Sequence, residues 1–164
     1  MAYESVGFFP ALQTRNPVKT SLSAFGQDSR PDEAEILAVN DKFYAALNVL
    51  FTGEAGPIKD LWSHADDTTY MGPQGGLDTG WQAISRMWDA QAALRLGGKV
   101  EPVDVHVNAG SNLAVVSNVE SGENTNARGE TARVSIRATN VYRKEDGNWK
   151  MIGHHTDLLH FLAN

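Results

Sequence analysis

The sequence contains no cysteine, which excludes disulfides, thiolate nucleophiles and cysteine metal ligands together. It also lacks an apolar run long enough to cross a membrane, so no membrane partner is expected. Residues 1–17 have neither a basic start nor a sustained apolar run, which argues against a secretory signal and favours a cytoplasmic location. Basic residues are few, and the net charge of -6 argues against nucleic acid as a partner.

The 164 residues are 41% hydrophobic and 21% charged, which is ordinary for one soluble globular domain. Residues 1–32 mix Gly, Pro, Ser and isolated aromatics without a period, so they are predicted to be an N-terminal arm. The arm either lies across the domain or a partner subunit, or frays at its end. The domain itself is predicted to span residues 33–164.

Three helices are predicted in the first half of this domain. Apolar residues recur at helical spacing over residues 36–51. A short second helix opens at Pro57, and a third spans residues 80–96 with Asp78 or Thr79 as its N-cap. These helices precede the strands of the second half.

Strand patterns replace the helical spacing beyond Lys99. Four long strands are predicted in succession, at residues 100–107, 113–121, 132–143 and 149–158, after one short strand at residues 67–71. The loops between the long strands are rich in Gly, Asn and Ser, which is typical of an antiparallel meander. Helices followed by an antiparallel sheet predict an α+β fold, with the helices covering one face of a curved sheet.

The last two strands are predicted to form a hairpin whose turn contains Asp146-Gly147. With Arg143 opposite Trp149, Asn140 would lie beside Ile152, and Ala138 beside His154.

This register places His154 on the inward face with Ile152 and Thr156. His155 falls on the outward face with Trp149 and Met151. A one-residue change in the turn would exchange the two faces, so the orientation of His154 depends on the turn geometry.

Several segments together carry a family resemblance: residues 66–73, Gly80-Trp81, residues 137–139, residues 143–149 and His154-His155. With the order of helices and strands, they resemble the nuclear transport factor 2-like, or cystatin-like cone, superfamily over residues 33–160. The chain looks most like the SnoaL-like and ketosteroid-isomerase-like small domains. Its C-terminal hairpin also resembles the association domain of calmodulin-dependent kinase.

The resemblance implies a conical cavity between the helices and the concave sheet face, a small-molecule ligand, and a homodimer formed through the outer sheet face. The family's tyrosine on the first helix matches Tyr44. Its general-base aspartate falls at Gly72, however, and its second acid falls near Asn140. Without that base, the steroid-isomerase reaction is not expected. The arginines of the kinase association domain correspond to Asn140 and Thr156, so its anionic ligand is not expected either.

Three polar side chains are the catalytic candidates: His154, Asn140 and Tyr70. An imidazole can transfer a proton near neutral pH, and an amide or a phenol can hold a developing negative charge. Each has a non-catalytic alternative. His154 could bind a ligand without catalysing a reaction, Asn140 could be hydrogen-bonded to water, and Tyr70 could be a packing residue. The predicted ligand-binding residues share the inward positions of the helices and strands, and they are Tyr44, Trp88, Ile152, Thr156 and Asn118.

No metal and no cofactor is predicted. His64, Asp66 and Asp67 do not have the spacing of a zinc site, and His154 and His155 point to opposite faces of a strand. The loop at residues 72–76 lacks the spacing of a nucleotide-binding glycine motif. Two hypotheses remain open, an acid/base enzyme acting on a small, largely apolar carbonyl compound and a non-catalytic binding or oligomerisation module.

Overall fold

The structure, a computed structural model, describes residues 33–125 and 128–157. The predicted N-terminal arm lies outside the described residues. Three helices come first along the chain, interrupted by two short strands, and four long strands follow. The helices are α1 (Glu33–Leu50), α2 (Gly56–Leu61) and α3 (Trp81–Leu94); the strands are β1 (Thr69–Met71), β2 (Asp78–Thr79), β3 (Lys99–Ala109), β4 (Leu113–Thr125), β5 (Thr131–Glu145) and β6 (Asn148–Asp157).

The six strands form one sheet in the order β2-β1-β6-β5-β4-β3. The four long strands are the predicted antiparallel meander, whereas β1 pairs with β6 in parallel. The helices lie against the inner face of this sheet, so the α+β prediction is confirmed. No helix in the described ranges is long and apolar enough to cross a membrane.

The sequence did not predict β2. Asp78 and Thr79, expected to cap α3, instead form this short edge strand, and Gly80 precedes the helix. Gly80 has a φ of 80°, in the region that glycine adopts at little cost, so the chain can turn sharply from the strand into the helix.

Helix α1 crosses the inner face with an apolar stripe, which includes the buried Ile36, Phe43 and Leu47. Its C-terminal end is joined to β3 by two hydrogen bonds, because the Asn48 amide donates to Val100 O at 2.9 Å and accepts from Val100 N at 2.8 Å. These bonds fix which residues of α1 face the middle of the sheet.

The hairpin turn shifts the register that the sequence predicted. Asp146 and Gly147 both have positive φ, 48° and 82°, as a two-residue type I′ turn requires. This tight turn pairs Lys144, rather than Arg143, with Trp149. Because one residue exchanges the faces of a strand, the predicted outward positions of Trp149 and Met151 are wrong, and both side chains are buried in the core.

A β-bulge restores the predicted faces in the second half of β6. The extra residue is Ile152, since Tyr142 pairs with Met151 and Val141 pairs with Gly153. Ile152 is therefore not beside Asn140, as the sequence predicted, and is half-buried at the bulge.

Beyond the bulge, Asn140 pairs with His154, and Ala138 pairs with Thr156. The total shift from the predicted register is two residues there. His154 and Thr156 therefore face inward, and His155 is exposed on the outer face.

Candidate functional site

A row of buried polar side chains crosses the middle of the inner face. Strands β4, β5 and β6 and helix α1 all contribute to it, and its members are Asn40, Tyr44, Asn118, Glu120, Asn140, His154 and Thr156. None of these residues is more than 6% exposed. Buried polar groups are costly unless they are hydrogen-bonded, so the pairing of this row decides what it can do.

His154 lies between an amide and a carboxyl group. Its Nδ1 is 2.6 Å from Asn140 Oδ1, and its Nε2 is 3.8 Å from Glu120 Oε1. The imidazole ring stacks on Tyr70, with ring centroids 5.6 Å apart, and also contacts Phe43. These contacts fix the position of the ring.

Glu120 projects from β4 towards α1. Its Oε1 accepts a hydrogen bond of 3.2 Å from the Tyr44 hydroxyl, which accepts one of 2.8 Å from Asn118 Nδ2. The oxygen of the same Asn118 amide is buried and has no hydrogen-bond partner among the described residues. An orphaned acceptor beside a carboxyl group is a place where a ligand donor would be stabilised.

Burial shifts the pKa values of Glu120 and His154 in opposite directions. It raises the pKa of the Glu120 carboxyl to about 7. Burial, with a smaller contribution from His155, lowers the pKa of the His154 imidazole to about 3. Near neutral pH the site therefore holds an uncharged base beside a carboxyl group that is still partly protonated.

Tyr70 lies on β1, next to His154. Its hydroxyl accepts a hydrogen bond of 3.0 Å from Gln91 Nε2 on α3, and burial raises its pKa to about 12, so the phenol keeps its proton. A Cβ at Gly72 would lie 2.8 Å from the Tyr70 hydroxyl oxygen. Any side chain at position 72 would therefore clash with the tyrosine ring.

The structure brings together most of the predicted site residues. His154, Asn140, Tyr44 and Asn118 belong to one hydrogen-bonded group, and Tyr70 packs against it.

The other predicted residues lie around this group. Trp88 contacts Tyr70 edge-on at 5.1 Å, and Thr156 donates to Met71 O at 3.4 Å. Ile152, at the bulge, is not part of the group.

The sequence analysis missed Glu120 and Asn40. A signal existed for both, because Glu120 continues the alternating inward positions of Ala114, Val116 and Asn118 on β4. Asn40 likewise interrupts the apolar stripe of α1. Polar residues at otherwise buried periodic positions are therefore as informative about the site as the two histidines.

Two concavities open elsewhere on the surface, and of the row only Asn118 contributes to the lining of either one. One, with a volume of about 440 Å³, is on the outer sheet face and is lined by residues that include His106, Arg137 and His155. The other, of about 450 Å³, lies beside the hairpin near Ser63 and Lys150. Within residues 33–125 and 128–157 no cluster of three His, Asp or Glu side chains could hold a metal ion.

The fold is that of an NTF2-like, cystatin-like α+β domain. The sequence profile of the SnoaL-like domain matches residues 36–157, and the chain belongs to this family. No curated protein matches the sequence at a significant level.

Several solved structures share the fold. A candidate dehydratase of the NTF2-like family from Streptomyces avermitilis is 21% identical, with a TM-score of 0.68 over 77% of this chain and 95% of that one. A candidate calcium/calmodulin-dependent protein kinase type II association domain from Thiobacillus denitrificans is 25% identical, with a TM-score of 0.64 over 75% and 94%. A candidate aromatic ring hydroxylase from Novosphingobium aromaticivorans is 15% identical, with a TM-score of 0.65 over 77% and 87%.

Proposed function

We propose that this SnoaL-like domain is an enzyme that transfers protons on a small, largely apolar carbonyl compound, in a reaction of the isomerase, cyclase or dehydratase type. The observation that carries the proposal is the buried pair formed by His154 and Glu120, 3.8 Å apart. Concerted acid/base chemistry needs an unprotonated base and a protonated acid at the same pH, and near pH 7 the pair holds neutral His154 beside a partly protonated Glu120. The lowered pKa makes the imidazole a weaker base, so proton removal depends on stabilisation of the negative charge that develops on the substrate.

The proposed roles follow from the contacts of each side chain. His154 removes the proton next to the carbonyl group, and Glu120 returns or donates one. Tyr70 donates its hydroxyl proton to the carbonyl oxygen and stabilises the negative charge that develops there. The hydrogen bond with Gln91 does not use this proton, because the Tyr70 oxygen is the acceptor in it. The amide nitrogen of Asn140 donates to Asn40 and its amide oxygen faces the imidazole of His154, so Asn140 orients His154 as the base.

The aromatic surroundings favour an apolar substrate. Phe43 and Tyr70 contact the His154 ring, and Trp88 lies behind Tyr70. No Lys or Arg side chain forms an ion pair with Glu120 within the described residues. An anionic substrate would therefore meet a carboxyl group without a compensating cation.

The experiment follows proton removal directly and does not require the natural substrate. The protein is incubated in D₂O with a panel of cyclic and aryl ketones, and deuterium entering the α-carbon is measured by NMR. Wild-type protein should speed exchange for at least one ketone, because removal and return of an α-proton is the first step of each reaction considered.

The matched variants are His154→Gln, Glu120→Gln and His155→Gln. The first two should lose the exchange activity, whereas His155→Gln, which alters the exposed neighbour, should keep it. If no ketone exchanges faster with wild-type protein than with His154→Gln, acid/base catalysis on this class of compound is excluded.

A second candidate function is ligand binding without catalysis. Two observations favour it: the family's general base is replaced by Gly72, and the polar row is buried deeply enough to be a structural network. In that case native mass spectrometry would detect a ligand retained by the purified protein. The His154→Gln variant would then bind the ligand more weakly, while wild-type protein would catalyse no exchange.

We also propose that the chain forms a homodimer through the outer face of the sheet. This face carries the exposed Val103 and a groove beside Thr139 and His155. A Thr139→Arg substitution at the centre of the face should convert the dimer into a monomer in sedimentation experiments. The substitution should not lower the thermal stability of the folded monomer, because Thr139 does not belong to the inner core.

A further inference from the structure

Asn40 is a buried amide at the centre of α1 and is only 1% exposed. Its Oδ1 accepts two hydrogen bonds from β5, one of 2.8 Å from Asn140 Nδ2 and one of 3.0 Å from the Tyr142 hydroxyl. Asn140 Nδ2 also lies 3.4 Å from the Tyr44 hydroxyl, so α1 offers it two acceptors, and the shorter bond is the one to Asn40. Helix α1, chiefly through Asn40, therefore determines which way the Asn140 amide is turned.

The orientation of Asn140 determines where the proton lies on His154. Because the Asn140 nitrogen donates to Asn40, the Asn140 oxygen faces the imidazole, 2.6 Å from Nδ1. An amide oxygen can only accept, so Nδ1 must carry the hydrogen. With both amides turned over, a nitrogen would face Nδ1 at 2.6 Å, a distance too short for two nitrogen atoms.

A neutral imidazole with its hydrogen on Nδ1 has a lone pair on Nε2. That atom is the one facing Glu120 Oε1 at 3.8 Å. A lone pair repels a carboxylate but is compatible with a protonated carboxyl group. The tautomer thus agrees with the raised pKa of Glu120 and the lowered pKa of His154.

We infer that Asn40 is a positioning residue that, through Asn140, holds His154 as the Nδ1–H tautomer and directs the Nε2 lone pair at Glu120. Asn40 need not touch a substrate to have this effect. The inference rests on the proposed function for its catalytic meaning, since it identifies Nε2 as the atom that accepts the proton. The tautomer itself is a property of the resting protein, so it is measured without a substrate.

The test is NMR of the protein labelled with ¹⁵N at its histidine rings. The five histidines are separated by their shifts, and the signals lost in His154→Gln identify His154. At neutral pH we expect Nδ1 of His154 to have the shift of a protonated nitrogen and Nε2 that of an unprotonated one. A wild-type spectrum with the proton on Nε2, or on both nitrogens, overturns the inference.

Two variants then test the role of Asn40. Asn40→Leu removes the acceptor and should move both ring shifts towards the average of the two tautomers. Asn40→Asp keeps an oxygen acceptor for Asn140 and should restore the Nδ1–H form. Unchanged shifts in Asn40→Leu would show that Asn140 keeps its orientation without Asn40, for example through the Tyr44 hydroxyl 3.4 Å from its Nδ2, and would also overturn the inference.

Tyr142→Phe is the matched control. It removes the other hydrogen bond to Asn40 Oδ1 but leaves the Asn140 bond in place, so the ring shifts should stay at their wild-type values. The two proposals can fail separately. If the Nδ1–H form is found but no ketone undergoes exchange, the inference stands and the proposed function fails.

Discussion

His154 and His155 are neighbours in the chain, yet they lie in opposite surroundings. His154 is 5% exposed, is held between Asn140 and Glu120, and stays uncharged at neutral pH. His155 is exposed on the outer face, beside the groove that contains Arg137 and Asp157. Alternation along a strand is enough to separate a candidate catalytic base from a surface residue of the same type.

The comparison also shows how a local irregularity fixes a functional face. The tight turn at Asp146-Gly147 shifts the pairing by one residue from the predicted register. That shift alone would place Trp149 on the inner face and His154 on the outer face. The bulge at Ile152 adds the second residue of shift. Both Trp149 and His154 can then face inward on one strand.

The largest contrast is expected from removing each histidine in turn. His154→Ala leaves a cavity and deprives Asn140 of its partner, so the free energy of unfolding should fall by about 3 kcal/mol. His155→Ala should change it by no more than about 0.5 kcal/mol. Urea unfolding at neutral pH measures both values. Equal losses would mean that the two faces do not differ in the way described.

The pH dependence of stability should separate the two partners of the inner pair. Folded protein keeps the Glu120 proton between about pH 4.5 and 7, where the unfolded chain has released it, so raising the pH favours unfolding. Between about pH 3 and 6.5 the unfolded chain carries a proton that folded His154 does not, so raising the pH favours folding. From about pH 4.5 to 6.5 the two contributions oppose each other.

Each substitution should expose the contribution of the other group. Between about pH 4.5 and 6.5, the unfolding free energy of His154→Gln should fall, relative to that of wild type, by about 1.4 kcal/mol for each unit by which the pH is raised. Glu120→Gln should gain a similar amount. Urea unfolding at pH 4.5, 5.5 and 6.5 gives the slopes. Variants whose slopes match the wild-type slope would show that neither group is shifted as described.

A smaller effect is expected at Gly72. A methyl group there would lie 2.8 Å from the Tyr70 hydroxyl oxygen, so Gly72→Ala should displace the ring and cost about 1–2 kcal/mol. Gly56→Ala is the control, because no atom lies within 4 Å of its added Cβ. Urea unfolding should show a loss in the first variant alone, and equal effects would mean that Tyr70 moves aside freely.

The smallest effect is expected on the outer face. Arg137 pairs with Asp157, but their side chains are 60% and 39% exposed. Exposed ion pairs contribute little, so Arg137→Ala should leave the stability of the monomer unchanged within error. Thermal unfolding at several protein concentrations tests this. A loss that grows with concentration would place the ion pair in an interface between copies of the chain.

Periodicity in the sequence was sufficient for much of the fold. Apolar residues at helical spacing located α1 and α3, and alternation located the four long strands, because burial of one face imposes these periods on any chain. The same periodicity contained Asn118 and Glu120 at consecutive inward positions. Glu120 was missed because a carboxyl group in a strand is usually solvated, although the alternation along β4 places it inward.

By itself the sequence determined the α+β class, the order of the elements and the hairpin at Asp146-Gly147, because these depend on residues close together in the chain. Only the tertiary structure decided the polar row, since it joins α1 to β4, β5 and β6. The sequence predicted that His154 pairs with Ala138, but in the structure His154 pairs with Asn140. This pairing requires a bulge that no local pattern signals. The ionisation of Glu120 and His154 was also decided by folding, because burial depends on what packs around a side chain.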